Sequence, residues 1–425
     1  MTMISTTQNT IAILCAGGPA PGINSVISSI TVAARKHGWE VIGIYDGFSW
    51  LAKGEKNVVP LTVDMVSRIY LDGGSTLRMS RFNPTKNEVH LRNVINTLSG
   101  LGVSHLVTIG GDDTAYSAYR LAEYAETQMG LVLHVVHVPK TIDNDLPLPE
   151  GVPTFGFETA RSLGARIVAN LAEDAKTTGR WFFITAMGRT AGHLALGMGK
   201  SAGATIIVIP EEFSTPTIRL RHLVDILCGA IIKRLAAGRG HGVAVIAEGL
   251  IEKIDKVDFE DLTGVERDEH GHIRYSEIDF SDVVRRAVLK ELGRLGITMT
   301  IVDKEIGYEV RCEQPNAFDI EYTRNLGFGA FDFLRNGGSD AMITVQNNQI
   351  VPLPFNEILD SRTGKTQVRM VNVNSIQYRI AREYMIRLEA DDFLSPVNLA
   401  KLAAICNLAP EEFRHRFEYM TLTGE

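Results

Sequence analysis

The chain has 425 residues, 45% of them hydrophobic and 22% charged. That balance suits a folded protein with a large core, in two or three domains or one large α/β unit with a partner lobe. A formal net charge of −7 argues against nucleic acid or an anionic membrane surface as the partner.

In chain order, the polar opening MTMISTTQNT has the wrong composition for a signal peptide. Short apolar, β-branched runs then recur, each closed by Gly or Pro: TIAILCAGG (10–18), EVIGIYDG (40–47), HLVTIGG (105–111), LHVVHVP (133–139), RWFFITAMG (180–188), TIIVIP (205–210) and GVAVIAEG (242–249). Continuous apolar runs of this length predict strands buried on both faces. Helical spacing fills the gaps between them at 23–38, 115–128, 157–176 and 220–238. Strands alternating with helices predict parallel sheets covered on both faces, with ligands at the carboxyl ends of the strands. Seven such runs in ~250 residues are many for one sheet, so two α/β lobes are expected. The stretch 251–282 reads as a polar surface insertion, followed by the helix VVRRAVLKELGRLG. Residues 346–358 read as strands and turns, and 361–425 as a mainly helical extension.

Cys15, Cys228, Cys312 and Cys406 are far apart and form no CxxC pair, which disfavours a zinc site or a disulfide framework and fits a reducing cytoplasm. No apolar run approaches the ~18 residues of a membrane span. There is no fixed-period repeat.

The chemistry-bearing residues stand at the predicted strand ends. CAGGPAPGIN (15–24) combines small residues with a helix start, which suits a phosphate and equally suits a tight turn without a ligand. GGSTLRMSR (73–81) is an anion loop or a solvated one. In GGDDT (110–114) a carboxylate could hold Mg²⁺ against phosphate oxygens; the plainer reading makes one Asp the cap of the next helix. VPKTIDNDLP (138–147) places Lys140, Asp143 and Asp145 within six residues, enough for a base and a phosphoryl-holding cation, or else a charged turn. Because 110–114 and 139–145 both follow strands, a parallel sheet brings them to one edge, and this favours the functional reading. TAMGRTAGHL (185–194) repeats the anion-site logic around Arg189, with His193 read as structural. AEGL, with Glu248, and GYEVRCEQP, with Tyr308 and Arg311, say little alone.

GGxxPGxN, GGSxLxxSR, GGD, TIDND, MGRxxG and a late aromatic-x-x-Arg occur in this order over residues 15–311, and together they resemble the phosphofructokinase family. The resemblance implies two doubly wound, Rossmann-like α/β/α lobes with the active site in the cleft between them. It divides the chain into a donor lobe (1–154 plus about 312–360), a sugar-phosphate lobe (155–311) and the extension 361–425. It implies Asp143 as the base toward the sugar 1-hydroxyl and Asp112 as the Mg²⁺ ligand. Thr141, Met187, Gly188, Arg189 and Glu248 would surround the sugar, with Ile142 and Asp145 in the same substrate loop. Tyr308, where many members have His, and Arg311 would grip the 6-phosphate, and Arg180 would reach it from a neighbouring subunit of a homodimer or homotetramer. Gly18 and Arg81 would line the donor site. A second family arginine for the 6-phosphate is replaced by Val302.

Asp113 and Lys140 stand where ATP-using members generally have Gly, and they resemble the pyrophosphate-dependent branch. A carboxylate at 113 would repel and displace an α-phosphate, which pyrophosphate lacks, while Lys140 would offset its charge. Some ATP-using relatives also carry PKTIDND, so Asp113 carries the discrimination. The expected reaction is reversible phosphoryl transfer from pyrophosphate to fructose 6-phosphate. The alternatives are an ATP-dependent kinase that tolerates Asp113, or a non-catalytic sugar-phosphate sensor on the same fold.

Overall fold

A computed structural model describes residues 9–260, 279–358 and 366–421. Most of the expected insertion at 251–282, and the first residues of the expected extension, therefore lie outside the described residues. The strands are β1 (Thr10–Cys15), β2 (Glu40–Ile44), β3 (Val58–Pro60), β4 (His105–Gly110), β5 (His134–Pro139), β6 (Trp181–Ala186), β7 (Ile206–Val208), β8 (Gly242–Ala247), β9 (Ile301–Ile306), β10 (Ala341–Gln346) and β11 (Gln349–Pro354). Every apolar run singled out in the sequence contains one of them. The chain divides into two compact units, Met1–Ala160 with Tyr308–Arg369, and Arg161–Gly307 with Met370–Glu425.

The first unit holds one seven-stranded sheet, in the order β11-β10-β5-β4-β1-β2-β3. Alternation along β1 builds its two cores. Ile11, Ile13 and Cys15 pack with helices Ile23–Lys36 and Ala317–Arg335. Ala12 and Leu14 pack on the other face with helices Glu88–Ser99 and Asp112–Met129. Both edges are antiparallel, where the sequence predicted a parallel arrangement. The reason is local. Asn347 and Asn348 take φ of 48° and 61°, the two left-handed positions of a tight hairpin turn, so β11 folds straight back on β10. β3 is a three-residue edge strand ending in Pro60, which has no N–H to donate.

The second unit holds a four-stranded parallel sheet, in the order β7-β8-β6-β9. One face carries Trp181, Phe183, Ala244 and Ile246 against helices Leu220–Ala236 and Phe280–Arg294 and the C-terminal helices Pro396–Ile405 and Pro410–Phe417. Helix His193–Ala202 covers the opposite face, where Gly199 lets it close on the sheet: a Cβ there would stand 2.6 Å from Ile207 Cγ1. No described helix is long and apolar enough to cross a membrane.

Candidate active site

β5, β4 and β1 run parallel and side by side, with Gly110 opposite Pro139 and Ile109 opposite Cys15. Three motif loops therefore leave the same edge of the first unit's sheet. The loop after β1 turns through Gly17 (φ 88°) and Gly22 (φ 101°), conformations that side chains rarely adopt. Asn24, in the first turn of the following helix, fastens the GGSTLRMSR segment to it. Its Oδ1 accepts from Thr76 N at 2.8 Å, and its Nδ2 donates to the Asp72 and Gly73 carbonyls. Gly17 N donates to Ser80 O at 2.9 Å. Gly73 is pressed so closely on residue 312 that a Cβ would lie 2.0 Å from Cys312 O. The two anion-loop candidates and the 308–312 segment thus form one assembly.

Three cations converge on the Gly17–Gly18 backbone. Lys140 Nζ donates to Gly18 O and would stand 3.5 Å from a Cβ on Gly17. A Cβ on Gly18 would stand 3.8 Å from Arg311 Cζ and 4.0 Å from Arg81 Nη2. Arg311 lies over the ring of Tyr308 at 4.9 Å from its centroid, and that ring is 77% exposed. Lys140 itself is buried. Burial pulls its pKa from 10.5 to about 8, opposed by the negative charges of Asp143 and Asp145 and reinforced by Arg311. Burial likewise pushes the Cys15 thiol up to about 12, so it stays protonated beside the lysine.

In GGDDT the helix begins at Asp112, its cap is Gly111, and no side chain caps it. Neither carboxylate is the N-cap that the plainer sequence reading assigned. Both occupy the first turn, where the helix dipole favours negative charge. Asp113 is exposed and Asp112 half-buried. Among the described residues no group of three or more His, Cys, Asp or Glu side chains could hold a metal.

TIDND is buried at Thr141, Ile142, Asp143 and Asp145. Thr141 Oγ1 accepts from Asp143 N at 3.0 Å, and Thr154 Oγ1 donates back to Thr141 O at 2.7 Å. Asn144 takes φ 58°, and its Oδ1 accepts from Thr154 N.

Two residues that hold these loops were missed in the sequence. Arg369 sends its guanidinium to the carbonyls of Asn144, Leu148, Pro149 and Val152, the last at 2.8 Å, and its own N–H to Asp145 O at 2.8 Å. It clamps the TIDND loop mainly through the main chain, and its Nη2 also donates to Asn144 Oδ1 at 2.5 Å. His137, fully buried in β5, places Nε2 3.0 Å from Gly110 O and Nδ1 2.8 Å from Thr108 Oγ1. Burial lowers its pKa to about 3, so it is neutral, and the carbonyl requires the proton on Nε2. Lys140 N also donates to Gly110 O, at 2.8 Å. The turn that presents Asp112 is thus fixed by groups flanking Lys140. The only sequence signal was a histidine within the apolar run VVHVP of β5.

In the second unit β6 and β8 are parallel neighbours, with Ala186 opposite Ala247. Met187, Gly188 and Arg189 therefore leave the sheet beside Glu248, and Gly188 N donates to Glu248 Oε2 at 3.3 Å. Arg189 is exposed at φ 52°. Glu211, also missed, accepts Gly192 N and Val371 N, each at 2.9 Å, and braces the loop that follows Arg189. Arg180 precedes β6 at its amino end, a strand's length from this group, and does not join it. Val302 lies within β9 opposite Phe182.

The family model described as phosphofructokinase matches residues 10–334. A pyrophosphate–fructose 6-phosphate 1-phosphotransferase of Thermotoga maritima is 51% identical over 97% of this chain and 98% of its own. One of Naegleria fowleri is 46% identical over 99% and 98%. The solved structure of a pyrophosphate-dependent phosphofructokinase from Marinobacter aquaeolei superposes with a TM-score of 0.68 at 18% identity, covering 89% of this chain and 90% of that one.

Proposed function

The chain belongs to the phosphofructokinase family, and from that premise we propose that it moves a phosphoryl group reversibly from pyrophosphate to the 1-hydroxyl of fructose 6-phosphate. The bridging P–O bond of pyrophosphate breaks and phosphate leaves. A new P–O bond forms to the sugar oxygen, and the hydroxyl proton passes to the Asp143 carboxylate. The names of the relatives support the donor and acceptor. The observation that carries the reading is the convergence of Lys140 and Arg81 on the Gly17–Gly18 turn, a cationic seat for a compact polyanion.

Lys140 and Arg81 take the pyrophosphate, with Gly18 admitting it closely, and Asp113 keeps out a donor that carries a third phosphate and a nucleoside. Arg311 with exposed Tyr308 grips the sugar 6-phosphate. Thr141, Ile142 and Asp145 shape the loop that presents the base, and Met187, Gly188, Arg189 and Glu248 take the sugar. The first unit takes the donor and supplies the base and the Tyr308–Arg311 grip on the sugar 6-phosphate, and the 161–307 segment of the second takes the sugar. Asp112 fits Mg²⁺: it is a hard oxygen ligand, partly open to water, and this ion uses one or two carboxylates with waters and substrate phosphates in place of an all-protein cage. When bound, the ion supplies positive charge against the donor phosphates. Arg180, remote from the Met187–Arg189 loop in its own chain, serves the site of a second copy in a homo-oligomer. The widely separated, unbridged cysteines suit a cytoplasmic setting.

The test is the purified chain with Mg²⁺, fructose 6-phosphate and either donor. Fructose 1,6-bisphosphate should form with pyrophosphate and fail to form with ATP. Turnover with ATP and none with pyrophosphate would overturn the assignment.

A further inference from the structure

A cavity of about 460 Å³ opens in the second unit, between the 212–226 segment and the C-terminal chain from 373 onward. It shares no residue with the site described above. Its volume is several times that of a bare phosphate and lies in the range of small-molecule sites. One part of the wall is apolar, with Phe213, Ile218, Ile226, Leu388 and Met420. The lining also includes Arg382, Arg387, Ser214 and Thr215, with Glu212.

The two arginines are incompletely satisfied. Arg387 pairs through its Nη atoms with Glu212, at 2.6 and 2.9 Å, and its side chain is 10% exposed. Its buried Nε has no hydrogen-bond partner among the described residues. Arg382 pairs through Nη2 with Glu389 at 3.0 Å, but Glu389 is 53% exposed, so that bond holds it weakly. Its Nη1 is buried and also without a partner there. A buried donor left unbonded is costly, and native proteins rarely keep one without a use. Burial, and then the Arg387 charge, lower the pKa of Arg382, so its guanidinium would gain from an anion beside it.

We propose that this cavity is a second ligand site, taking a small phosphomonoester with an apolar or aromatic body. Donors from two arginines and two hydroxyls outnumber what the two oxygens of a carboxylate accept, and the terminal oxygens of a phosphate absorb them. The body packs on Phe213, Ile218 and Met420.

Phenyl phosphate is the probe, titrated by calorimetry into the full chain, with inorganic phosphate as the second arm. Phenyl phosphate should bind more tightly than inorganic phosphate. Arg382→Gln should weaken it about tenfold or more, the worth of a hydrogen bond to a charged group, with melting temperature and both substrate KM values unchanged. Thr215→Val, on an exposed turn, should weaken it by less. Equal affinity in the native chain and Arg382→Gln would overturn the proposal, because binding would then belong to the active site. So would the absence of binding at millimolar probe, or inorganic phosphate binding as tightly as its phenyl ester.

Discussion

Lys140 couples stability to chemistry. Its ammonium is buried, and its pKa falls from 10.5 in the unfolded chain to about 8 in the fold. Below pH 8 both states are protonated, and the fold carries the whole desolvation penalty, on the order of 3 kcal/mol. Between pH 8 and 10.5 the folded protein sheds the proton that the unfolded chain still holds, so this group makes stability rise with pH across that window. The charge that the fold tolerates at neutral pH is the one assigned to the pyrophosphate. Replacing it by an apolar isostere, Lys140→Met, should therefore raise stability at pH 7 by ~1–3 kcal/mol and abolish transfer. The gain should shrink toward pH 10.

The same titration should appear in the kinetics. kcat/KM for pyrophosphate reports the free enzyme, so it should fall about tenfold per pH unit above 8 and stand roughly 30-fold below its neutral plateau by pH 9.5. Arginine keeps its charge throughout this range. Lys140→Arg should be slower at pH 7, because a planar guanidinium replaces a point charge beside Gly17, but its profile should lack the alkaline limb. The ionisation of pyrophosphate is common to both proteins and cancels in their ratio. The assay is initial-rate kinetics from pH 6.5 to 10 in the two proteins, with urea unfolding of Lys140→Met at pH 7 and 10. Identical alkaline limbs in the native chain and Lys140→Arg would refute the reasoning, as would a Lys140→Met chain less stable at pH 7 than the native one.

Asp143→Asn should lower kcat by ~10²–10⁴ with little change in the fructose 6-phosphate KM, measured by steady-state kinetics in both directions. Asp113→Gly should admit ATP and weaken pyrophosphate use, read from kcat/KM for each donor; an unchanged donor ratio would remove the exclusion argument. Arg369→Ala should cut kcat about tenfold or more while altering KM less, since it orders the loop that presents the base, and Arg369→Lys should recover little because an ammonium cannot span four carbonyls. His137→Phe should loosen the Gly110 turn and raise the Mg²⁺ concentration needed for half-maximal rate, with pyrophosphate held saturating.

The architecture was legible because burial on both faces leaves a direct trace. Ile11, Ile13, Leu106, Val107, Val135, Val136, Ile184 and Val245 form unbroken apolar runs, which only interior strands of covered sheets require. β9 escaped notice because it lies at a sheet edge and reads IVDKEI, with exposed charges in mid-strand. β3 has too few residues for any period to show. The Asp112–Asp113 pair was read correctly as a charge at a strand end but wrongly as a possible cap, because a capping residue and a first-turn carboxylate look alike in one dimension.

The loops were legible for their contents and illegible for their supports, and the difference is physical. Glycines and charges next to a strand end announce a turn that meets something polar, because neither residue type strengthens a strand. A clamp onto main-chain carbonyls announces nothing, since every residue has a carbonyl and the arginine that reaches it reads as an ordinary surface cation. Arg369 lies 225 residues from Asn144 and beyond the span matched by the family model, yet it bonds the backbone on both sides of Leu148. Its carbonyl partners would accept from any fork of the same reach and leave no trace in the sequence; of the TIDND side chains, Asn144 is held too, its Oδ1 accepting from Arg369 Nη2 at 2.5 Å. The trace would lie chiefly at position 369, as intolerance of every residue that lacks a planar set of donors, and at Asn144, whose side-chain oxygen accepts from it.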